Sequence, residues 1–63
     1  MTLTPRQREV LRLSITHSNK AVARELGIGE RTVDRHLDNA YQRLGARNRL
    51  DAAVRAGIVE VRT

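Results

Sequence analysis

Apolar residues recur along this chain at the spacing of amphipathic helices, and the residues between the apolar stretches favour helix ends. A first helix is predicted over residues 5–15, where Thr4 can cap the helix, Pro5 suits its first position and Gln7 completes a capping box. Its apolar positions at helical spacing are Leu3, Val10, Leu11 and Ile15. The opening of the chain therefore predicts one helix with a well-defined start.

Three further helices are predicted, over residues 19–26, 30–44 and 49–56. Each is followed by a glycine, a residue that accepts the left-handed backbone in which many helices end. Their candidate N-caps are Ser18 or Asn19, Gly29 and Asn48. The alternating tail over residues 58–61 is either a short extended piece or docked chain. These patterns predict an all-α fold, a four-helix bundle-like domain covering residues 1–63.

The second and third predicted helices are joined by a tight turn. Ala23 is small enough to let two helices approach, Gly27 makes the turn and Val33 fills the space between the helices. Because these residue types are common, the spacing alone does not separate a helix-turn-helix from an ordinary helical hairpin. The pattern of the next helix separates them.

The third predicted helix has one apolar face and one polar face. At about 100° per residue, its apolar positions Val33, Leu37, Ala40 and Leu44 share a narrow arc. The opposite side and its flanks carry Arg31, Thr32, Asp34, Arg35, His36, Asp38, Asn39, Gln42 and Arg43. A helix that reads the major groove of DNA needs this division, and here it follows directly after the turn.

The composition favours duplex DNA as the partner. Twelve Lys and Arg residues against seven Asp and Glu residues leave a net charge of +5 at pH 7. Proteins that bind single strands or RNA usually stack bases on aromatic side chains, and Tyr41 is the one aromatic residue in this sequence.

Other classes of function find no support in the residues. The chain has no cysteine, and its two histidines, His17 and His36, are too isolated to predict a metal site. His36 has no evident nucleophile or orienting partner, so we expect no enzyme activity and no cofactor. Neither a signal peptide nor a membrane span is evident, and the expected location is the cytoplasm.

Several short motifs together resemble the LuxR-type helix-turn-helix domain of bacterial transcription regulators. They are Leu3-Thr4-Pro5-Arg6, Glu9-Val10-Leu11, Ser18-Asn19-Lys20, Val22-Ala23, Leu26-Gly27-Ile28, Arg31-Thr32-Val33, His36-Leu37 and Leu44-Gly45, with Arg47, Arg49 and Ala53. The resemblance implies phosphate contacts near Asn19, Lys20 and Thr32 and major-groove reading at positions 34, 35 and 38. With their polar neighbours, the candidate DNA-binding residues are Ser18, Asn19, Lys20, Arg31, Thr32, Asp34, Arg35, His36, Asp38, Asn39 and Arg43.

Two aspartates depart from the pattern of that family. Many relatives carry basic residues where this chain has Asp34 and Asp38, and an aspartate there faces a phosphate-rich groove. Either the two aspartates form local ion pairs with Arg31 and Arg35, or at least one takes part in recognition. In recognition, an aspartate could accept from cytosine N4 or hold Arg35 toward guanine. Gln7 in place of the usual glutamate, and a short linker over residues 16–18, are smaller departures.

The same resemblance implies a homodimer that forms through the fourth helix on a pseudo-palindromic site. We expect Leu50 and Val54 to face the core, which leaves a small-residue pair exposed for close approach between helices. The candidate dimer residues are Ala52, Arg55 and Ala56.

Alternative functions remain at this stage. Region four of a sigma factor shares the opening motif and the turn, with RNA polymerase as its partner, although a distinct fourth helix argues against it. A protein-interaction module on a helix-turn-helix scaffold is favoured only by the two aspartates. The sequence also leaves open whether the domain is a stand-alone regulator or the output domain of a longer one, and RNA polymerase is a further candidate partner.

Overall fold

A computed structural model describes residues 3–60 of the chain, and the segments over these residues are helices joined by short turns. The all-α fold is confirmed. The second and third helices have the predicted ends, while the first and the fourth are each one residue shorter than predicted. The helices are α1 Pro5–Ser14, α2 Asn19–Leu26, α3 Glu30–Leu44 and α4 Arg49–Arg55.

Side-chain caps define where three of these helices begin. At α1 the predicted capping box is present, because Gln7 N–H donates to Thr4 Oγ1 and Thr4 N–H donates to Gln7 Oε1, both at 3.1 Å. Ser18 caps α2 by accepting from Ala21 N–H at 3.1 Å, and Asn48 caps α4 in the same way. The N-cap of α3 is Gly29, which has no side chain to cap the helix.

The turn between α2 and α3 is built on Gly27, whose φ of 67° lies in the left-handed region. This conformation lets Ile28 N–H donate to Ala23 O at 2.9 Å and Gly27 N–H donate to Arg24 O at 3.3 Å. The pair of bonds is a Schellman motif, which satisfies carbonyls at the end of a helix. Ile28 packs against the core, as the residue after such a glycine often does. The predicted tight turn is therefore present.

The core lies where α1, α2 and α3 meet, and α4 contributes Ala52 and Ala53 to it. On α1 the fully buried side chains include Ser14, whose hydroxyl donates to Leu11 O at 2.7 Å. Gln7 is also buried, whereas Ile15, one of the apolar positions at helical spacing, is half-buried. The buried apolar cluster consists of Val10, Leu11, Val22, Ala23, Val33, Leu37 and Ala52.

The end of the described chain is docked rather than extended. Ile58 packs against the core and its N–H donates to Ala53 O at 2.9 Å. No strand occurs between residues 3 and 60, which favours docked chain over an extended piece, and Val61 lies outside the described residues.

Candidate DNA interface

Helix α3 presents its polar face to solvent and its apolar face to the core, as predicted. Val33, Leu37 and Ala40 are at most 3% exposed, and Leu44 is half-buried against the core cluster. Of the polar residues, His36 is half-buried. The exposed ones are Arg31, Thr32, Asp34, Arg35, Asp38, Asn39, Gln42 and Arg43. The helix thus displays a long surface of donors and acceptors while its other face holds it in place.

The start of α2 lies beside this exposed face. Asn19 Nδ2 donates to Asp34 Oδ1 across the two helices at 2.7 Å. Lys20 follows Asn19 and is exposed, as is the capping residue Ser18. A cation and the first turn of a helix are both suited to phosphate groups, because the helix dipole and the amide N–H groups there favour negative charge.

Asn19 is not a free side chain at this edge. Its carbonyl oxygen Oδ1 accepts from Arg49 Nη2 at 3.1 Å, and its amide nitrogen is bound to Asp34. Arg49 also donates through Nη1 to the main-chain oxygen of Ser14 at 3.0 Å. The Asn19 side chain therefore bridges α3 and α4.

The surroundings of Asp34 and Asp38 bear on the two interpretations of these aspartates. Within residues 3–60, neither Arg31 nor Arg35 forms an ion pair with Asp34 or Asp38. The described residues therefore give no support to local ion pairing of the aspartates with these two arginines. Asp34 is held by Asn19 instead, and Asp38 is exposed.

Helix α4 faces the core with the opposite side from the one expected. Ala52 and Ala53 are 0% exposed, whereas Leu50 is 63% exposed. Ala56 is half-buried against the core, and its carbonyl oxygen accepts from Arg8 Nη1 at 3.0 Å. The prediction of an exposed Ala52–Ala56 pair is therefore wrong, because the alanine side of α4 packs against α1 and α3. Ala52 cannot contact a second chain in this arrangement.

The outer side of α4 carries Leu50, Asp51, Val54 and Arg55. Arg55 is exposed, and its Nε donates to both carboxylate oxygens of Asp51 at 3.1 and 3.2 Å. The backbone N–H of Arg47 donates to Asp51 Oδ2 at 3.0 Å. This backbone hydrogen bond is the chief cause that lowers the pKa of Asp51 from its ordinary value of 3.8, and Arg55 adds to it.

Sequence reasoning did not assign a role to Arg49. Its position was nevertheless informative. A cation in the first turn of a helix interacts unfavourably with the helix dipole, so an arginine there indicates a specific contact that compensates. Its two hydrogen-bond partners lie 30 and 35 residues away along the chain, so local pattern could not identify them.

Neither a metal site nor a membrane-spanning helix occurs in the part of the chain that the structure describes. No group of three or more His, Cys, Asp or Glu side chains between residues 3 and 60 is arranged to hold a metal ion. Over the same residues, every helix is too short or too polar to cross a membrane.

Comparison with known proteins assigns the family. Residues 1–56 match the family described as "Bacterial regulatory proteins, luxR family". The spore germination protein GerE of Bacillus subtilis is 45% identical over 53 residues, a stretch covering 82% of this chain and 72% of GerE. The putative HTH-type transcriptional regulator YhjB of Escherichia coli K12 is 43% identical over 58 residues. The transcriptional activator protein AnoR of Acinetobacter nosocomialis is 42% identical over 55 residues.

The match covers different shares of the relatives' own lengths. The matched stretch spans 29% of YhjB and 23% of AnoR. No solved structure gives a significant match. The family match covers nearly all of the chain, and the helix-turn-helix lies inside it. The chain therefore belongs to the luxR family of bacterial regulatory proteins, as a helix-turn-helix domain of the type found in transcriptional regulators.

Proposed function

We propose that this chain binds duplex DNA sequence-specifically, as a transcription regulator or as the DNA-binding domain of one, with α3 in the major groove. The observation that carries the proposal is the division of α3 into a buried apolar face and an exposed polar face directly after the turn at Gly27. The buried face fixes the helix to the body of the domain. The exposed face then offers side chains that can donate to and accept from base edges.

The charge distribution supports DNA over a protein partner. The chain carries +5 at pH 7. Lys20 at the start of α2 and Arg31 and Arg35 on α3 are exposed on neighbouring surfaces, since the Asn19–Asp34 hydrogen bond joins the two helices there. In this arrangement Lys20 and Thr32 contact phosphate groups while Arg35 reaches base edges. Phosphate contacts set the position of a protein on DNA, and base contacts select the sequence.

We further propose that the chain binds a two-fold symmetric site as a homodimer through the outer side of α4. Leu50 is a large apolar side chain that is 63% exposed, and Val54 lies one turn further along on the same side. An apolar pair of this kind is small, so the dimer is expected to form on DNA rather than as a stable species in solution. These residues replace the alanine pair expected from the sequence.

A salt titration tests DNA binding by this chain. We expect the affinity for a generic duplex to fall by about tenfold or more between about 50 and 200 mM salt if three phosphates are contacted, because each contact releases counterions. An affinity that does not change with salt, or no binding at low salt, contradicts the proposal. Either result would favour a protein-interaction module on the same scaffold.

A further inference from the structure

Three side chains from three helices form a continuous chain of hydrogen bonds that ends on the exposed face of α3. Arg49 of α4 donates to Asn19 of α2 at 3.1 Å, and Asn19 donates to Asp34 of α3 at 2.7 Å. Arg49 is also bound to the main-chain oxygen of Ser14 at 3.0 Å, so the chain of bonds begins at the backbone. These residues lie 15 and 30 positions apart in the sequence.

The chemistry of the three groups allows one orientation of the middle residue. A guanidinium group only donates hydrogen bonds, so it must face the carbonyl oxygen of the Asn19 amide. A carboxylate only accepts, so it must face the amide nitrogen. Turning the amide by 180° would set donor against donor and acceptor against acceptor. Arg49 therefore fixes the Asn19 amide, and the Asn19 amide fixes one oxygen of Asp34.

The other oxygen of Asp34 is available for recognition. Asp34 is exposed, and its Oδ2 accepts no hydrogen bond from the residues between 3 and 60. With Oδ1 bound to Asn19 at 2.7 Å, the short distance of a charge-assisted hydrogen bond, the carboxylate has little freedom to turn. A fixed acceptor on a helix in the major groove matches an exocyclic amino group, and cytosine N4 is the usual partner of an aspartate.

From this geometry we infer that Asp34 is a specificity-determining residue for cytosine and that Arg49 and Asn19 are the positioning residues that orient it. The inference rests on the proposed DNA-binding function. Preorganisation offsets the disadvantage of an acid near phosphates, because the carboxylate is already oriented and needs no further ordering when DNA binds.

Binding-site selection from a random duplex library tests the inference, with the chain itself, Asp34→Ala, Arg49→Lys and Asn19→Ala. Arg49→Lys keeps the positive charge but cannot hold Ser14 and Asn19 together, since it lacks the planar fork of donors. We expect all three variants to lose preference at the same base pair. The loss should be about threefold or more in relative affinity, as for one hydrogen bond. The affinity of Arg49→Lys for random duplex should stay unchanged.

Arg6→Lys is the matched control, because Arg6 pairs with Glu9 on α1 and does not contact Asn19. It should keep the consensus of the unaltered chain. Adding Arg49→Lys to Asp34→Ala should cause no further loss of discrimination, since the residue to be positioned is already gone. Asp34 is exposed, so Asp34→Ala keeps the fold and preserves the test even if Arg49→Lys does not fold.

Two results overturn the inference while leaving DNA binding intact. One is an unchanged consensus in Asp34→Ala. The other is an Arg49→Lys variant that keeps the preference or loses affinity equally at every position, as a purely structural residue would. If the unaltered chain binds no duplex and selects no consensus, the proposed function itself fails, and the inference fails with it.

Discussion

At the scale of single residues, Asp51 shows how one carboxylate can organise the start of a short helix. It accepts from the backbone of Arg47 and from the side chain of Arg55, while its own N–H donates to Asn48 Oδ1 at 2.8 Å. A carboxylate near a helix N-terminus also interacts favourably with the helix dipole. These interactions favour the charged form, which is why the pKa of Asp51 is lowered.

The lowered pKa predicts an acid-dependent contribution of Asp51 to stability. The contribution is present above the ordinary pKa of 3.8 and is lost as the pH falls through the lower pKa of the folded state. We therefore expect the chain to be more stable than Asp51→Asn at neutral pH, and the difference to shrink below about pH 4. Thermal unfolding midpoints of both proteins across this range measure it. A difference that stays constant down to about pH 2 contradicts the assignment.

At the scale of elements, the two glycines between α2 and α3 have different roles. Gly27 has a φ of 67°, while the N-cap Gly29 has a φ of −77° and a ψ of 155°, which any residue adopts. A Cβ added at Gly29 would lie 4.0 Å from Thr32 Oγ1, at ordinary contact distance. Gly27 is thus required by its backbone conformation, and Gly29 is replaceable.

This difference predicts opposite effects of two substitutions on stability. Gly27→Ala should lower the free energy of unfolding by about 1 kcal/mol, because a side chain is strained in the left-handed region. Gly29→Ser should raise it by a few tenths of a kcal/mol, about the difference between serine and glycine as N-caps. Urea denaturation of both variants provides the measurement. Equal effects of the two changes would show that the turn does not depend on the backbone of Gly27.

Features set by neighbouring residues could be predicted from the sequence, and features set by packing could not. The capping box at Thr4 and the turn at Gly27 involve groups a few residues apart, and both are confirmed. The prediction of which face of α4 is buried was wrong. Leu50 and Val54 are more apolar than Ala52 and Ala53, and periodicity assigns the larger apolar residues to the core. Packing decides otherwise, since α4 lies close to α1 and α3.

The same distinction between local pattern and packing applies to the candidate DNA interface. The exposed face of α3 follows from its helical period, and the predicted division into a buried and an exposed side is confirmed. The chain of hydrogen bonds from Arg49 through Asn19 to Asp34 connects three helices, so no local pattern predicts it. The resemblance to LuxR-type domains is confirmed by the family match, while the roles of single residues toward DNA stay predictions.

At the scale of the whole molecule, the proposed dimer predicts that a change on the outer side of α4 affects binding to two half-sites but not binding to one half-site. Leu50→Gln removes the exposed apolar side chain without changing the charge. We expect it to abolish cooperative occupancy of two half-sites about 34 Å apart, one turn of the double helix. Affinity for a single half-site, measured on the same variant, should remain unchanged and serves as the control. Unchanged cooperativity would place the interface away from α4.

The central claim is that α3 reads bases while the start of α2 holds the phosphate backbone. The ratio of affinity for a selected site to affinity for random duplex, measured for Arg35→Ala and Lys20→Ala, tests it most directly. Lys20→Ala should weaken binding to both duplexes alike and reduce the salt slope by about one. Arg35→Ala should lower the ratio at one base position, by about 1–3 kcal/mol of discrimination. If Arg35→Ala instead weakens binding to both duplexes equally, as Lys20→Ala does, α3 does not read the sequence through this face.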